Sequence, residues 1–235
     1  MSAPLRPAER AYSLSTRAGW EEFVTAPPRQ RPGPLTAAQV RGLSGRARAE
    51  YEEQRPVWHA NLGPLRTPQM RAVHEQLDDI VEANRQDGDK VKGAAVIDAL
   101  PGLGKSTIAQ VFAREFHQRQ VSLYGPVTAG GHDRIPVAHV CLTSSTTKRS
   151  FNAMLCRFFG LPGADRGNAE ELGHRAADAV LACCCPSLKC PMKAAFRVPM
   201  WGCLKAPQRG WLRGLGGEGA AGCGRGAGVR CRCIR

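Results

Sequence analysis

The sequence predicts an α/β chain, an incomplete parallel sheet with flanking helices behind a helical N-terminal segment. Three observations carry this. Ala94–Asp98 is a short, mostly apolar run that stops at a Gly/Pro turn. Ile108, Val111, Phe112 and Phe116 then recur at helical spacing. A second strand-like run, Ile135–Leu142, and two further helical patterns follow, so the order after residue 92 is β-α-β-α-α.

Taken in order, residues 1–35 are rich in Pro and Arg and include PPRQRPGP, a composition expected of a flexible arm. Residues 36–91 form a helical N-terminal segment. Thr36 with Gln39 has the pattern of a capping box, and Val40, Leu43, Ala47 and Tyr51 recur behind it at helical spacing. Gly42 and Gly45 weaken that helix. A stronger helix follows Thr67 as N-cap and Pro68 at the first position, with Met70, Val73, Leu77, Ile80 and Val81 as its apolar face and an end near residues 85–89. Residues 92–182 hold the strand–turn–helix unit and the second strand, where Pro136 is acceptable only near the start. The next helix carries Phe151, Met154, Leu155, Phe158 and Phe159 and stops at Gly160. The last starts at Asn168, with Glu171 three residues on.

The chemistry sits in the turn. Residues 99–107 read ALPGLGKST, against the phosphate-loop pattern G-x-x-x-x-G-K-[ST]. Ala99 stands in the first glycine position, which is tolerable if its φ is negative. Gly102 and Gly104 let backbone N–H groups turn inward around a phosphate, at the positive end of the following helix. Pro101, Gly102, Leu103, Gly104, Lys105, Ser106 and Thr107 are the expected nucleotide-binding residues. Lys105 would reach the β- and γ-phosphates, and the Ser106 hydroxyl would hold Mg²⁺. A chance GKS in a Gly/Pro loop lacks the strand before and the amphipathic helix after. No guanine-reading NKxD motif occurs, so ATP with Mg²⁺ is the expected ligand.

Hydrolysis requires a second strand ending in a carboxylate that fixes Mg²⁺ and orients water. The run Ile135–Leu142 ends in TSSTT instead. Asp133 lies at its beginning, the wrong end of a parallel sheet for ligand chemistry, and Asp165 and Asp178 fall in a loop and on a helix. The segment 183–235 contains no Asp and no apolar run of strand length.

These residues carry a family resemblance. RPVWHANLGPLRTPQ (55–69), ANRQDGDKVKGAAVIDALPGLGKSTIAQVF (83–112), RIPVAHVCLTSSTT and FFGLPGADR (158–166) resemble actinobacterial ATPases of the TniB type, which are AAA+-like transposition helpers. The resemblance spans roughly residues 15–182. It implies a partial P-loop NTPase sheet of AAA+-like type, ATP and Mg²⁺ at Gly102, Gly104, Lys105, Ser106 and Thr107, and DNA and a DDE transposase as partners in a homo-oligomer. Such proteins continue with an apolar strand ending in Asp-Asp, where this chain reads LACCCPSLKCPMKAAFRVPMWGCLK. The expected function is an ATP-binding transposition regulator deficient in hydrolysis, and the alternative is a regulatory P-loop ATPase with no DNA role. A small-molecule kinase would need lid arginines, for which Arg157 and Arg166 are too few.

Composition divides at the same border. Residues 183–235 hold ten Lys or Arg and a single acid, Glu218, leaving +4 of the +13 net charge for residues 1–182. Eight of the ten cysteines lie there too, Cys183, Cys184, Cys185, Cys190, Cys203, Cys223, Cys231 and Cys233, with only Cys141 and Cys156 before them. Their spacing contains no Cys-x-x-Cys and the tail no His, so zinc is not expected. No run of about 18 apolar residues suggests a membrane span. The N-terminus lacks a secretory pattern. A cytoplasmic location follows, where disulfides are rare. Ten Gly, seven Arg, six Ala and four Pro in 53 residues are what GC-rich codons yield in any frame. The tail is therefore expected to be out of frame from about codon 182, and to be disordered or a weak irregular cover.

Overall fold

The computed structural model describes residues 12–85, 92–183 and 230–234. The elements are α1 (Arg17–Thr25), α2 (Ala37–Gly42), α3 (Gly45–Ala60), α4 (Pro68–Ala83), β1 (Ala94–Asp98), α5 (Lys105–Tyr124), α6 (Lys148–Phe158), α7 (Ala169–Cys183) and β2 (Arg230–Ile234).

The caps read from sequence form as expected. Thr36 accepts from the Gln39 amide while the Gln39 side chain accepts from the Thr36 amide at 2.8 Å, a closed capping box. Thr67 caps α4 through the Met70 amide at 3.1 Å, with Pro68 where its missing N–H is harmless. Asn168 accepts from the Glu170 and Glu171 amides at 2.9 Å, and Glu171 accepts from the Asn168 amide at 3.1 Å. The helix expected to run on from Thr36 breaks instead. Leu43 takes an extended conformation and Ser44 caps a new helix, α3. Two glycines flanking that point make the interruption inexpensive.

The arm expected over 1–35 is corrected for Arg17–Thr25, which form α1. Trp20 is fully buried and enters the main core with Val24. Side chains of α5 receive the last carbonyls of α1. Gln118 donates to Val24 O at 2.7 Å, and Arg114 donates to Ala26 O at 2.6 Å while lying over the Phe23 ring. One buried aromatic anchor of this size outweighs a polar composition.

The main core sits where α4 and α5 cover β1. Met70, Val73 and Leu77 from α4 meet Ala95 and Ile97 from β1 and Ile108, Phe112 and Phe116 from α5. Ala153, Cys156, Ala164, Leu172 and Ala176 form a smaller core between α6 and α7.

The sheet differs from expectation. Among the described residues it has two strands, with β1 antiparallel to β2 in the register Ala94↔Ile234, Val96↔Arg232, Asp98↔Arg230. The parallel second strand expected at Ile135–Leu142 is absent as a strand. Ile135 and Val137 are buried in the main core, but the segment belongs to no ladder. A strand exists through its neighbour's hydrogen bonds, not through its own apolar pattern. The tail is corrected over Arg230–Ile234 alone: disorder or a weak irregular cover was expected, and these five residues pair with β1, the strand that leads into the loop. The tail cysteines Cys184, Cys185, Cys190, Cys203 and Cys223 lie outside the described residues, as does the stretch 86–89 expected to end α4.

Candidate functional site

The loop from Ala99 to Gly104 connects the end of β1 to the start of α5, the arrangement the motif requires. Gly102 has φ +82° and Gly104 φ +75°, values that side chains other than glycine's adopt at a cost. No described residue other than glycine has a positive φ, so Ala99 meets the condition for replacing the first glycine.

Gly104 is the N-cap of α5, and no side chain caps this end. No acidic residue lies in the first turn. The free amides and the helix dipole therefore face outward with no competing carboxylate on that turn. Lys105 and Ser106 are half-buried on that turn, whereas Pro101, Gly102, Leu103 and Thr107 are exposed. The Lys105 ammonium donates to Ala99 O at 2.6 Å and Leu100 O at 3.0 Å, so it lies over the beginning of the loop. A phosphate entering the loop would compete for those protons. Amide donors, a lysine and a hydroxyl are the donor set that a triphosphate and its Mg²⁺ need, and the residues present fit that group. Among the described residues no cluster of three or more His, Cys, Asp or Glu could hold a metal without it.

One positioning residue escaped the sequence reading. Asn84, at the end of α4, donates to Gly93 O at 2.8 Å and accepts from the Gly93 amide at 2.7 Å. This paired bond fixes the entry to β1 and hence the loop behind it. The signal was an Asn closing a helix shortly before a strand, a common and unspecific one.

The other candidates are engaged elsewhere. Asp133 pairs with Arg17 of α1, Asp165 with Arg157 of α6 at 2.8 Å, and Asp178 is exposed on α7. Thr143 and Thr146 bond each other in a turn, and Thr147 caps α6, accepting from the Ser150 amide at 3.2 Å. Most of the TSSTT polarity is thus used locally.

Behind the loop, His117 on α5 accepts a hydrogen bond at Nδ1 from Trp20 Nε1, 3.1 Å away. Burial lowers the imidazole pKa to about 4, only partly opposed by Glu21. His139 stacks on Trp20, ring centroids 5.9 Å apart, and burial lowers its pKa too.

No helix among the described residues is long and apolar enough to cross a membrane. No curated protein and no solved structure matches the chain. Residues 88–187 match the family model of an AAA domain, and this match, over the strand, loop and helix just described, supports a P-loop ATPase family for that part of the chain.

Proposed function

We propose that the chain is an ATP-binding transposition regulator of the TniB type, which binds DNA and engages a DDE transposase, and that it hydrolyses ATP poorly. The observation that carries the nucleotide part is the loop itself: two glycines at positive φ, an uncapped helix end, and Lys105 and Ser106 on its first turn. In this reading the amides of Gly102 to Lys105 and the Lys105 ammonium would hold the phosphates of ATP. The Ser106 hydroxyl would hold Mg²⁺, which would neutralise charge on the phosphates.

Poor hydrolysis follows from the carboxylates. Asp133 and Asp165 are committed to arginines, and Asp178 is exposed on α7. The second strand read from the sequence, Ile135–Leu142, ends in TSSTT and not in a carboxylate. The transposition part rests on the resemblance of the WH…TPQ approach and the flanking stretches, while the match to an AAA domain supports the P-loop ATPase part. A regulatory P-loop ATPase without a DNA role is favoured by one feature, the small net charge of +4 over residues 1–182. A DDE transposase gene beside this one supports the first reading, and its absence the second.

The site test is Lys105→Ala, read with a fluorescent ATP analogue. We expect ATP affinity to fall at least about a hundredfold, close to 3 kcal/mol. Unchanged affinity would remove the site assignment.

A further inference from the structure

We propose that the groove between residues 31–35 and α3 binds single-stranded nucleic acid, with Trp58 and Tyr51 as stacking surfaces and Arg31 and Arg55 as phosphate partners. The groove, about 240 Å³, is lined by residues that include Arg31, Leu35, Tyr51, Arg55, Trp58 and His59, and no carboxylate lines it. It lies on a different surface from the phosphate loop and deepens only the DNA-binding part of the reading above.

Helix α3 has no buried residue, yet it carries two large aromatic rings on one face. Tyr51, Arg55, Trp58 and His59 fall at i, i+4, i+7 and i+8. The two rings stand about 10 Å apart along the helix axis. Each is half-buried and has an arginine beside it: the Arg31 guanidinium lies 5.4 Å from the Trp58 ring centre, and that of Arg55 5.7 Å from Tyr51. Two of the three acids on α3 are paired along the helix. Glu50 is held by Arg46 at 3.1 Å and Glu52 by Arg48 at 2.7 Å. The Tyr51 hydroxyl accepts from the Leu35 amide at 3.3 Å, and Pro32 and Pro34 stiffen the strap that forms the other wall.

Positive charge alone would suit any polyanion. Ring faces paired with guanidinium groups suit one with planar π surfaces between its charges, which a single strand has and an acidic peptide lacks. A duplex hides those faces in its own stack.

The test is fluorescence anisotropy on the full chain with a labelled oligo-dT of about 15 nucleotides, the same length of duplex, and poly-glutamate as competitor. The basic segment 183–235 is common to all variants, so differences between them report the groove. Trp58→Ala is expected to weaken oligo-dT binding roughly 5- to 100-fold, with Trp58→Phe retaining most of it. The double change Arg31→Gln and Arg55→Gln should reduce the salt slope by about 1.4, at about 0.7 per phosphate released. Lys105→Ala should leave oligo-dT binding intact, which separates this proposal from the nucleotide site. Wild-type affinity in Trp58→Ala, with unchanged circular dichroism, overturns the proposal. So does a Trp58→Ala change that weakens duplex binding as much as oligo-dT binding.

Discussion

Trp20 shows how one residue settles the place of a whole segment. Its indole is fully buried, with its N–H satisfied by His117 at 3.1 Å and His139 stacked against its face. The arrangement needs His117 neutral, because Nδ1 is the acceptor. Its native pKa, near 4, lies below the usual value of 6.5, so the unfolded chain takes up the proton first as pH falls. The stability this group contributes is present above pH 6.5 and is lost as pH falls toward about 4. Thermal unfolding followed at pH values from about 7 to about 4.5 should show a steeper loss in the wild type than in His117→Asn. Equal slopes would show that the Trp20–His117 pair does not govern this window. None of this was legible in the sequence, where Trp20 lies in a polar stretch and its two histidines are 97 and 119 positions away.

The strand–loop–helix unit is the element most nearly determined by local sequence. β1 occupies the residues read for it, Ala94–Asp98, and α5 starts at Lys105. Gly104→Ala would place a side chain at φ +75° with open space around its Cβ, so the cost is conformational and not a clash. That cost is about 1–2 kcal/mol if the backbone holds. Relaxing it would turn the first amides of α5 away from the phosphate position. We expect a small fall in melting temperature and a fall in ATP affinity of about tenfold or more, measurable on one preparation by calorimetry. Glycine need and helix start are local properties, which explains why they were legible. The Asn84 bridge to Gly93 was not, because it joins two elements across nine positions through a side chain with several possible partners.

At the scale of the molecule the sheet is where sequence and structure part. The apolar run Ile135–Leu142 buries Ile135 and Val137 but joins no ladder, and β1 pairs with Arg230–Ile234 instead. We propose that a second frame beyond codon 182 encodes the apolar strand ending in Asp-Asp that the family resemblance implies. Reading the gene in the other two frames past that codon is expected to reveal such a strand. If neither frame encodes one, the composition break at residue 182 has another origin. By itself the sequence determined the cap that starts α2, the helices α4, α5, α6 and α7, whose periodicity is local, and the strand–turn–helix order that places Lys105 and Ser106 on the first turn of α5. Only the tertiary structure decided that α1 belongs to the core, that Asp133 and Asp165 are held by arginines, and which strand lies beside β1. The reason is physical: helix caps and glycine turns are satisfied within a few residues, whereas burial, ion pairing and strand pairing depend on partners that sequence distance does not reveal.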